Sequence, residues 1–293
     1  MTTPTALLTG ASRGIGAGVA ERLAAAGYDL VLTARDSAAA RRTVAKVRST
    51  SPAGRRVEWV AADLSDPTDI ARLAGVALES IGTPDLLLHC AGLIPASEQR
   101  SARGVEMQWA VNHLAPFHLT RLLEMGAEGA RGGRRVVTVA SKLHRDGRID
   151  RVPDLFTTGS WDRRQRYCDT KLANVLFARA LARRLDPARC LSISLHPGAA
   201  GTGLYQDLDG TGALDRLVDR TLRGVRGKRP WGLDECVERV TNACTRPLRA
   251  DDHGGYLEEG EWSTPSEQAL DDELGEWLWA TSKRATATPG ADV

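Results

Sequence analysis

Ala6-Leu7-Leu8-Thr9-Gly10-Ala11-Ser12-Arg13-Gly14-Ile15-Gly16 is the stretch on which the fold turns. A short apolar run ends at Thr9-Gly10, and from Ile15 to Ala26 the apolar residues recur at helical spacing. The order is strand, glycine turn, helix, with Gly27 where a helix C-cap belongs. Three glycines serve three physical needs, with a tight turn at Gly10, close backbone approach to a pyrophosphate at Gly14, and close helix-to-sheet packing at Gly16. The helix start beyond them offers unpaired N–H groups and a partial positive charge to phosphate oxygens. A glycine turn alone serves any tight strand-to-helix connection; after the first strand of an alternating chain it points to a dinucleotide.

The alternation continues outward. Asp29 to Thr33 reads as a strand, Ser37 to Ser49 as a basic helix, Val57 to Val60 as a strand, and Asp66-Pro67 opens another helix. Asp85 to His89 is a continuous apolar strand of the kind buried on both faces of a parallel sheet. A helical stretch from about Arg103 to Met125 precedes the strand Arg135 to Val139, and a helix from Tyr167 to Arg184 precedes the strand Cys190 to Leu195. Strands alternating with helices predict a single α/β domain over residues 1–293, a doubly wound Rossmann fold with a parallel sheet and helices on both faces. The Gly- and Arg-rich segment at about 199–232 reads as a substrate-pocket lid. After it come a helix from Leu233 to Thr245 and a C-terminal strand plus helix at about 254–284, with Gly255-Tyr256-Leu257 as the strand and Ser266 to Lys283 as the helix.

Composition excludes some classes of function. With 39 basic and 37 acidic residues and a formal charge of +2, the chain lacks the cationic surplus that nucleic acid or an anionic membrane requires. Five cysteines with no C-x-x-C pair predict reduced, packed thiols, and neither a disulfide framework nor a metal site. The start of the chain has no basic leader region, and nowhere do about 18 apolar residues run together, so a soluble, cytoplasmic protein is expected.

The end of the second strand selects the dinucleotide. An acid there would hold the ribose 2′-hydroxyl of NAD, but Ala34 stands in its place and Arg35 follows. With Arg13 in the glycine turn, two guanidinium groups can converge on a 2′-phosphate, so NADP(H) is the expected cofactor. The alternative reading makes both arginines ordinary surface charge, with Asp36 reaching the ribose.

Tyr167 and Lys171 stand four apart on one helix and therefore share a face. A phenol near pKa 10 is a poor acid/base at neutral pH until a nearby ammonium favours its phenolate. Ser141 follows the apolar strand Val136 to Val139, at the carboxyl edge of the sheet where ligands bind, and its hydroxyl can hydrogen-bond a carbonyl oxygen. Asn112 is a polar residue inside an apolar helical stretch, either functional or merely capped or solvent-facing. Pro116, just beyond, should bend that helix and free carbonyls for water.

On these residues the chain resembles the short-chain dehydrogenase/reductase family, over essentially its full length. Thr9 to Gly16 is similar to the family's TGxxxGxG turn and Tyr167 to Lys171 to its YxxxK. Asp63-Leu64 resembles the pair beside the adenine, His89-Cys90-Ala91-Gly92 the NNAG of strand four, and Pro197-Gly198 with Thr202 the segment flanking the nicotinamide. Val111-Asn112-His113-Leu114 and Lys171 to Leu176 resemble the retinol-dehydrogenase-like branch more narrowly.

The resemblance implies a catalytic set of Asn112, Ser141, Tyr167 and Lys171. In that set Tyr167 donates the proton, Lys171 lowers its pKa and binds the nicotinamide ribose, Ser141 polarises the carbonyl, and Asn112 holds a water of a proton relay. It implies cofactor contacts from Gly10, Ser12, Arg13, Gly14, Ile15, Gly16, Arg35, Asp63, Leu64, Cys90, Ala91, Gly92, Tyr167, Lys171, Pro197, Gly198 and Thr202. It also implies pairing through the two long helices holding Asn112 and Tyr167, hence a homodimer or homotetramer. Both asparagines of NNAG are replaced here, and His89 is expected to be a packed strand-end residue.

The expected activity is an NADPH-dependent carbonyl reductase, or an alcohol dehydrogenase in reverse, acting on a bulky apolar ketone or secondary alcohol. The stretch around Leu143 to Arg151 and the segment Ala199 to Trp231 would wall its pocket, with Leu204, Tyr205, Leu208 and Trp231 as an apolar lining. The alternatives are an NAD-dependent alcohol dehydrogenase and a catalytically idle dinucleotide sensor or scaffold.

Overall fold

The computed structural model describes residues 3–35, 37–125, 133–157, 159–198 and 232–287. Thr202 and the expected lid at about 199–232, apart from Gly232, with Leu204, Tyr205, Leu208 and Trp231, lie outside them, as does Asp36.

β1 (Thr5–Thr9), α1 (Gly14–Ala25), β2 (Asp29–Ala34), α2 (Ser37–Thr50), β3 (Val57–Ala61), α3 (Pro67–Ile81) and β4 (Leu86–His89) follow the order read from the sequence. Next come α4 (Met107–Trp109), a π-helical turn (Ala110–Leu114) and α5 (Ala115–Leu122), then β5 (Arg134–Val139) and a 3-10 turn (Lys142–Asp146). The chain continues with α6 (Arg163–Ala182), β6 (Cys190–His196), α7 (Leu233–Thr245), β7 (Tyr256–Glu258), β8 (Glu261–Trp262), α8 (Glu267–Leu270) and α9 (Asp272–Thr286).

The strands form one sheet in the order β3-β2-β1-β4-β5-β6-β7-β8. All neighbours pair in parallel except β8, which returns antiparallel on β7 with Leu257 opposite Trp262, an edge that no sequence pattern announced. Alternate residues of the apolar strands feed opposite layers. Leu8 joins Val19 and Leu23 of α1 and Val240 of α7, whereas Leu7 joins Leu73 of α3, Phe117 of α5 and Phe177 of α6. Chain order reverses between β1 and β4, so the carboxyl ends of these two strands border the crevice where a doubly wound sheet takes its ligand.

Three expectations about helices change. The stretch from Arg103 to Met125 is not one helix: Pro116 has no N–H to offer the carbonyl of Asn112 four residues back, and the helix widens so that Ala115 N–H bonds Ala110 O. Tyr167 does not open its helix, because Asp162 caps Gln165 N–H and starts α6 a turn earlier. The C-terminal helix is broken at Asp271, whose side chain accepts from Leu274 N–H and begins α9 anew.

The surface expected to pair subunits is also already covered. Every residue of α6 from Tyr167 to Ala178 is buried within the one chain. Leu274 and Leu278 of α9 pack into the apolar cluster of Leu172 and Leu176, and Arg183 donates to Asp272 and Glu276 at 2.6 and 3.0 Å. Trp279 stacks on Phe177 with its ring planes 13° apart, and Arg184 lies 4.1 Å over its face, so this tryptophan belongs to the helix contact.

Candidate active site

The glycine turn is built by contact as much as by torsion. Gly10 has φ +70°, and a Cβ there would lie 2.7 Å from Ala91 Cα, so the ends of β1 and β4 approach as only glycine allows. At Gly16 a Cβ would stand 2.4 Å from Gly10 O, the close packing of α1 on the turn that its position in the motif predicts. Thr9 Oγ1 accepts from Cys90 N–H and Ala91 N–H at 3.1 and 3.2 Å and fixes the same junction. Thr43 of α2 donates to Ser12 O at 2.8 Å and holds the turn from the outer side.

The start of α1 suits an anion. Its N-cap residue, Arg13, makes no capping side-chain hydrogen bond, and its first turn, with Gly14, Ile15 and Gly16, has no acid. By contrast, Asp66 caps α3 and Asp162 caps α6. A bare helix terminus after a close-packed glycine turn fits a pyrophosphate, so the residues present fit a dinucleotide. Arg13 and Arg35 are both exposed, and the latter follows Ala34 at the end of β2. At the end of β3, Asp63 Oδ1 accepts from Ser65 N–H and Oγ–H at 2.9 and 2.8 Å, and Leu64 is buried. Pro197 and Gly198 follow β6 directly; the Pro197 carbonyl accepts from Arg239 Nη1 at 3.0 Å.

Asn112, in the π-helical turn, is fully buried and not solvent-facing. Its amide pairs with Leu93 in both directions: Oδ1 accepts from Leu93 N–H at 2.8 Å and Nδ2 donates to Leu93 O at 3.0 Å. Nδ2 also donates to Thr170 Oγ1 of α6 at 3.2 Å. The side chain thus locks the loop after β4 to the helix that bears Tyr167 and Lys171.

Lys171 is the hub. Its Nζ donates to Val139 O at 2.9 Å and lies 5.5 Å from the centre of the Tyr167 ring. A Cβ placed on Gly92 would be 3.7 Å from Lys171 Nζ and 3.6 Å from Asn112 Oδ1, so both polar groups face the bare glycine beside Ala91. Burial pushes the Lys171 ammonium down to about 8. Ser141, two residues beyond Val139, is buried and caps the 3-10 turn; its Oγ accepts from Leu143 N–H at 3.2 Å, which leaves the hydroxyl hydrogen for another acceptor.

The NNAG replacements have structural roles. Thr120 Oγ1 donates to Pro116 O at 2.8 Å, so the contact at 2.7 Å from His89 Nε2 to that oxygen must be donated by the imidazole. His89 is therefore the neutral Nε2–H tautomer, and burial pushes its pKa to about 3, as suits the packed strand-end residue expected. Burial raises the Cys90 thiol to about 11, so it is no nucleophile at neutral pH. All five cysteines are free. Among the described residues no group of three or more His, Cys, Asp or Glu could hold a metal ion, and no helix is long and apolar enough to cross a membrane.

Within the stretch from Leu143 to Arg151, expected to wall the pocket, the sequence did not single out two residues of this neighbourhood. Gly147 lies so close to α6 that a Cβ would come within 2.6 Å of Cys168 O and 2.7 Å of Leu172 Cβ, which seats the loop after Ser141 on the Tyr167 helix. His144 is buried one turn after Ser141 with both ring nitrogens engaged. The spacing S-x-x-H-x-x-G was the available signal.

A family profile described as "short chain dehydrogenase" matches residues 4–211. The chain is a short-chain dehydrogenase/reductase. Human "Retinol dehydrogenase 13" is 30% identical to it over 99% of this chain and 86% of the relative, and mouse "Polyprenol dehydrogenase" is 32% identical over 98% and 85%. These relatives place the dehydrogenase in the retinol-dehydrogenase-like branch. A solved short-chain dehydrogenase from Burkholderia cenocepacia in complex with NADP superimposes with a TM-score of 0.67 at 25% identity, over 88% of this chain and 96% of that one. As a family member the dehydrogenase binds a nicotinamide dinucleotide, and its Asn112, Lys171 and Gly92 meet at the carboxyl edge of the sheet.

Proposed function

We propose that this dehydrogenase transfers hydride between NADP(H) and a bulky apolar carbonyl compound, a ketone in reduction and the secondary alcohol in reverse. The observation that carries this reading is the Lys171 ammonium, held by Val139 O beside the Tyr167 ring and facing Gly92. The cofactor, when bound, supplies or accepts the hydride. Gly10, Ser12, Gly14, Ile15, Gly16 and the start of α1 would hold its pyrophosphate, Asp63, Leu64, Cys90 and Ala91 its adenosine side, and Gly92, Lys171, Pro197 and Gly198 its nicotinamide side.

Tyr167 gives its phenolic proton to the carbonyl oxygen in reduction and takes it back in oxidation. The Lys171 charge favours the phenolate that remains, and the free hydrogen of Ser141 stabilises the negative charge growing on the same oxygen. Asn112 keeps Leu93 and Thr170 in register behind them. Arg13 and Arg35 would pair with a 2′-phosphate, and the NADP bound by the Burkholderia relative supports that choice.

The names of the relatives, built on retinol and polyprenol, support an alcohol or carbonyl with a large apolar body. A homodimer or homotetramer, common in the family, would have to use a surface other than α6.

The test is NADPH oxidation with a panel of apolar ketones and retinaldehyde, beside fluorescence titration of NADPH and NADH. Turnover with a preference for NADPH is expected. Tight NADPH binding with no turnover on any carbonyl would favour a sensor, and equal kcat/KM for both cofactors would remove the phosphate clamp.

A further inference from the structure

Ser141 caps a five-residue 3-10 turn whose own backbone bonds run from His144 N–H to Ser141 O at 3.0 Å and from Gly147 N–H to His144 O at 3.1 Å. One side of the turn rests on α6, where Gly147 packs on Cys168 and Leu172 and Gln165 Nε2 donates to Asp146 O at 3.0 Å; the other side is tied to residues more than 110 positions further along the chain. His144 is fully buried; its Nδ1 lies 2.8 Å from Ser141 O, and its Nε2 lies 3.1 Å from Ser266 N. A backbone N–H can only donate and a carbonyl can only accept. Nε2 therefore carries no proton and Nδ1 does, so a single neutral tautomer ties the Ser141 carbonyl to the segment before α8. The ring meets Tyr256 of β7 edge-on, with centroids 4.8 Å apart.

A second tie runs beside it. One carboxylate, Glu258 at the end of β7, takes Lys142 Nζ on one oxygen and Arg145 Nη2 on the other, each at 2.9 Å. Arg145 Nη2 also donates to Thr264 O at 2.8 Å. Lys142, His144 and Arg145 are thus all attached to residues 258–266.

We infer that His144, with the Lys142–Glu258–Arg145 bridge, is a positioning device for Ser141: the C-terminal segment 256–266 aims the serine hydroxyl without touching substrate or cofactor. The catalytic part of the inference rests on the role proposed above for Ser141. The physical reason is preorganisation. A donor to a developing oxyanion must already be in place, and misplacement by about 1 Å can cost on the order of 100-fold in rate.

His144→Ala is expected to lower kcat about 10- to 100-fold while the Kd for NADPH stays within about twofold. His144→Asn, which restores a donor to Ser141 O but cannot reach Ser266, should recover part of the loss. A residue acting through Ser141 should add nothing once the hydroxyl is gone, so Ser141→Ala/His144→Ala should be no slower than Ser141→Ala alone. A readout independent of turnover is amide hydrogen exchange of residues 141–146 in the free protein, expected to be at least about tenfold faster in His144→Ala than in the native chain.

The two roles fail differently. Native turnover in Ser141→Ala removes the role of Ser141 and leaves the clamp to the exchange measurement. An inactive Ser141→Ala beside a native kcat in His144→Ala, multiplying losses in the double variant, or unchanged exchange at 141–146 would each overturn the positioning role. Should His144→Ala not fold, Glu258→Gln takes its place: a severalfold loss of kcat absent from the Ser141→Ala background supports the device, and a native kcat refutes it.

Discussion

The Lys171 ammonium donates to the carbonyl oxygen of Val139, the last residue of β5, at 2.9 Å. The bond ties a helix side chain to the strand that leads into Ser141, and it sets the charge against the Tyr167 ring. Lys171→Met should therefore cut kcat/KM by on the order of 100-fold or more. Lys171→Arg should not restore it, since a guanidinium is broader than the ammonium that faces Gly92. The pH profile adds a sign. Burial lowers the ammonium to about 8, so the free enzyme holds its charge below that pH and loses it above. For carbonyl reduction, kcat/KM should decline as pH rises through about 8, and a profile flat to about pH 9.5 would separate Lys171 from the mechanism.

Tyr167→Phe removes one oxygen from a buried ring and leaves its packing in place. Turnover should fall by about 100- to 10,000-fold, the usual contribution of a positioned acid/base. NADPH affinity, carried mainly by the glycine turn and the start of α1, should change by less than about threefold. Near-native turnover in this variant would take Tyr167 out of the chemistry.

Arg13 and Arg35 are exposed, so replacing them costs little stability and isolates their effect on the cofactor. A charge-assisted hydrogen bond contributes about 1.5 to 3 kcal/mol. Arg35→Ala should thus lower kcat/KM for NADPH by about 10- to 100-fold and leave NADH nearly untouched, with Arg13→Ala behaving alike. Parallel losses with both cofactors would mean that neither guanidinium pairs with the 2′-phosphate.

The layered fold was legible because its signals are local. Ala6 to Gly16, Asp66-Pro67 and the run Leu86 to His89 each combine periodicity with a turn or cap that has one reading. Lys171 and Tyr167 were legible as a pair because the helix fixes their spacing. What escaped depends on contacts between distant segments. Gly147 looks like any loop glycine until Cys168 and Leu172 are packed on it, and His144 gains its partner from Ser266, 122 residues away. The covered face of α6 was hidden for the same reason: nothing in Arg163 to Ala182 says that Leu274, Leu278 and the Asp272–Glu276 pair will come to lie on it.

The buried histidines set the response to acid. Burial holds His89 and His113 at about 3 and His196 at about 4, against 6.5 in an unfolded chain. Between those values the unfolded state binds protons that the folded state refuses, so stability is complete above about pH 6.5 and falls as pH drops below it. At about pH 5 each such histidine costs about 2 kcal/mol. His89 offers the cleanest test. A glutamine at its position does not titrate, and its amide nitrogen reaches about as far as the imidazole Nε2 and can still donate to Thr120. The loss of unfolding free energy between about pH 7 and about pH 5 should be about 2 kcal/mol smaller in His89→Gln than in the native chain, measured by urea titration at both pH values. An unchanged difference would mean that His89 takes up its proton in the folded protein as readily as in the unfolded one, which its buried Nδ1, with no acceptor among the described residues, does not allow.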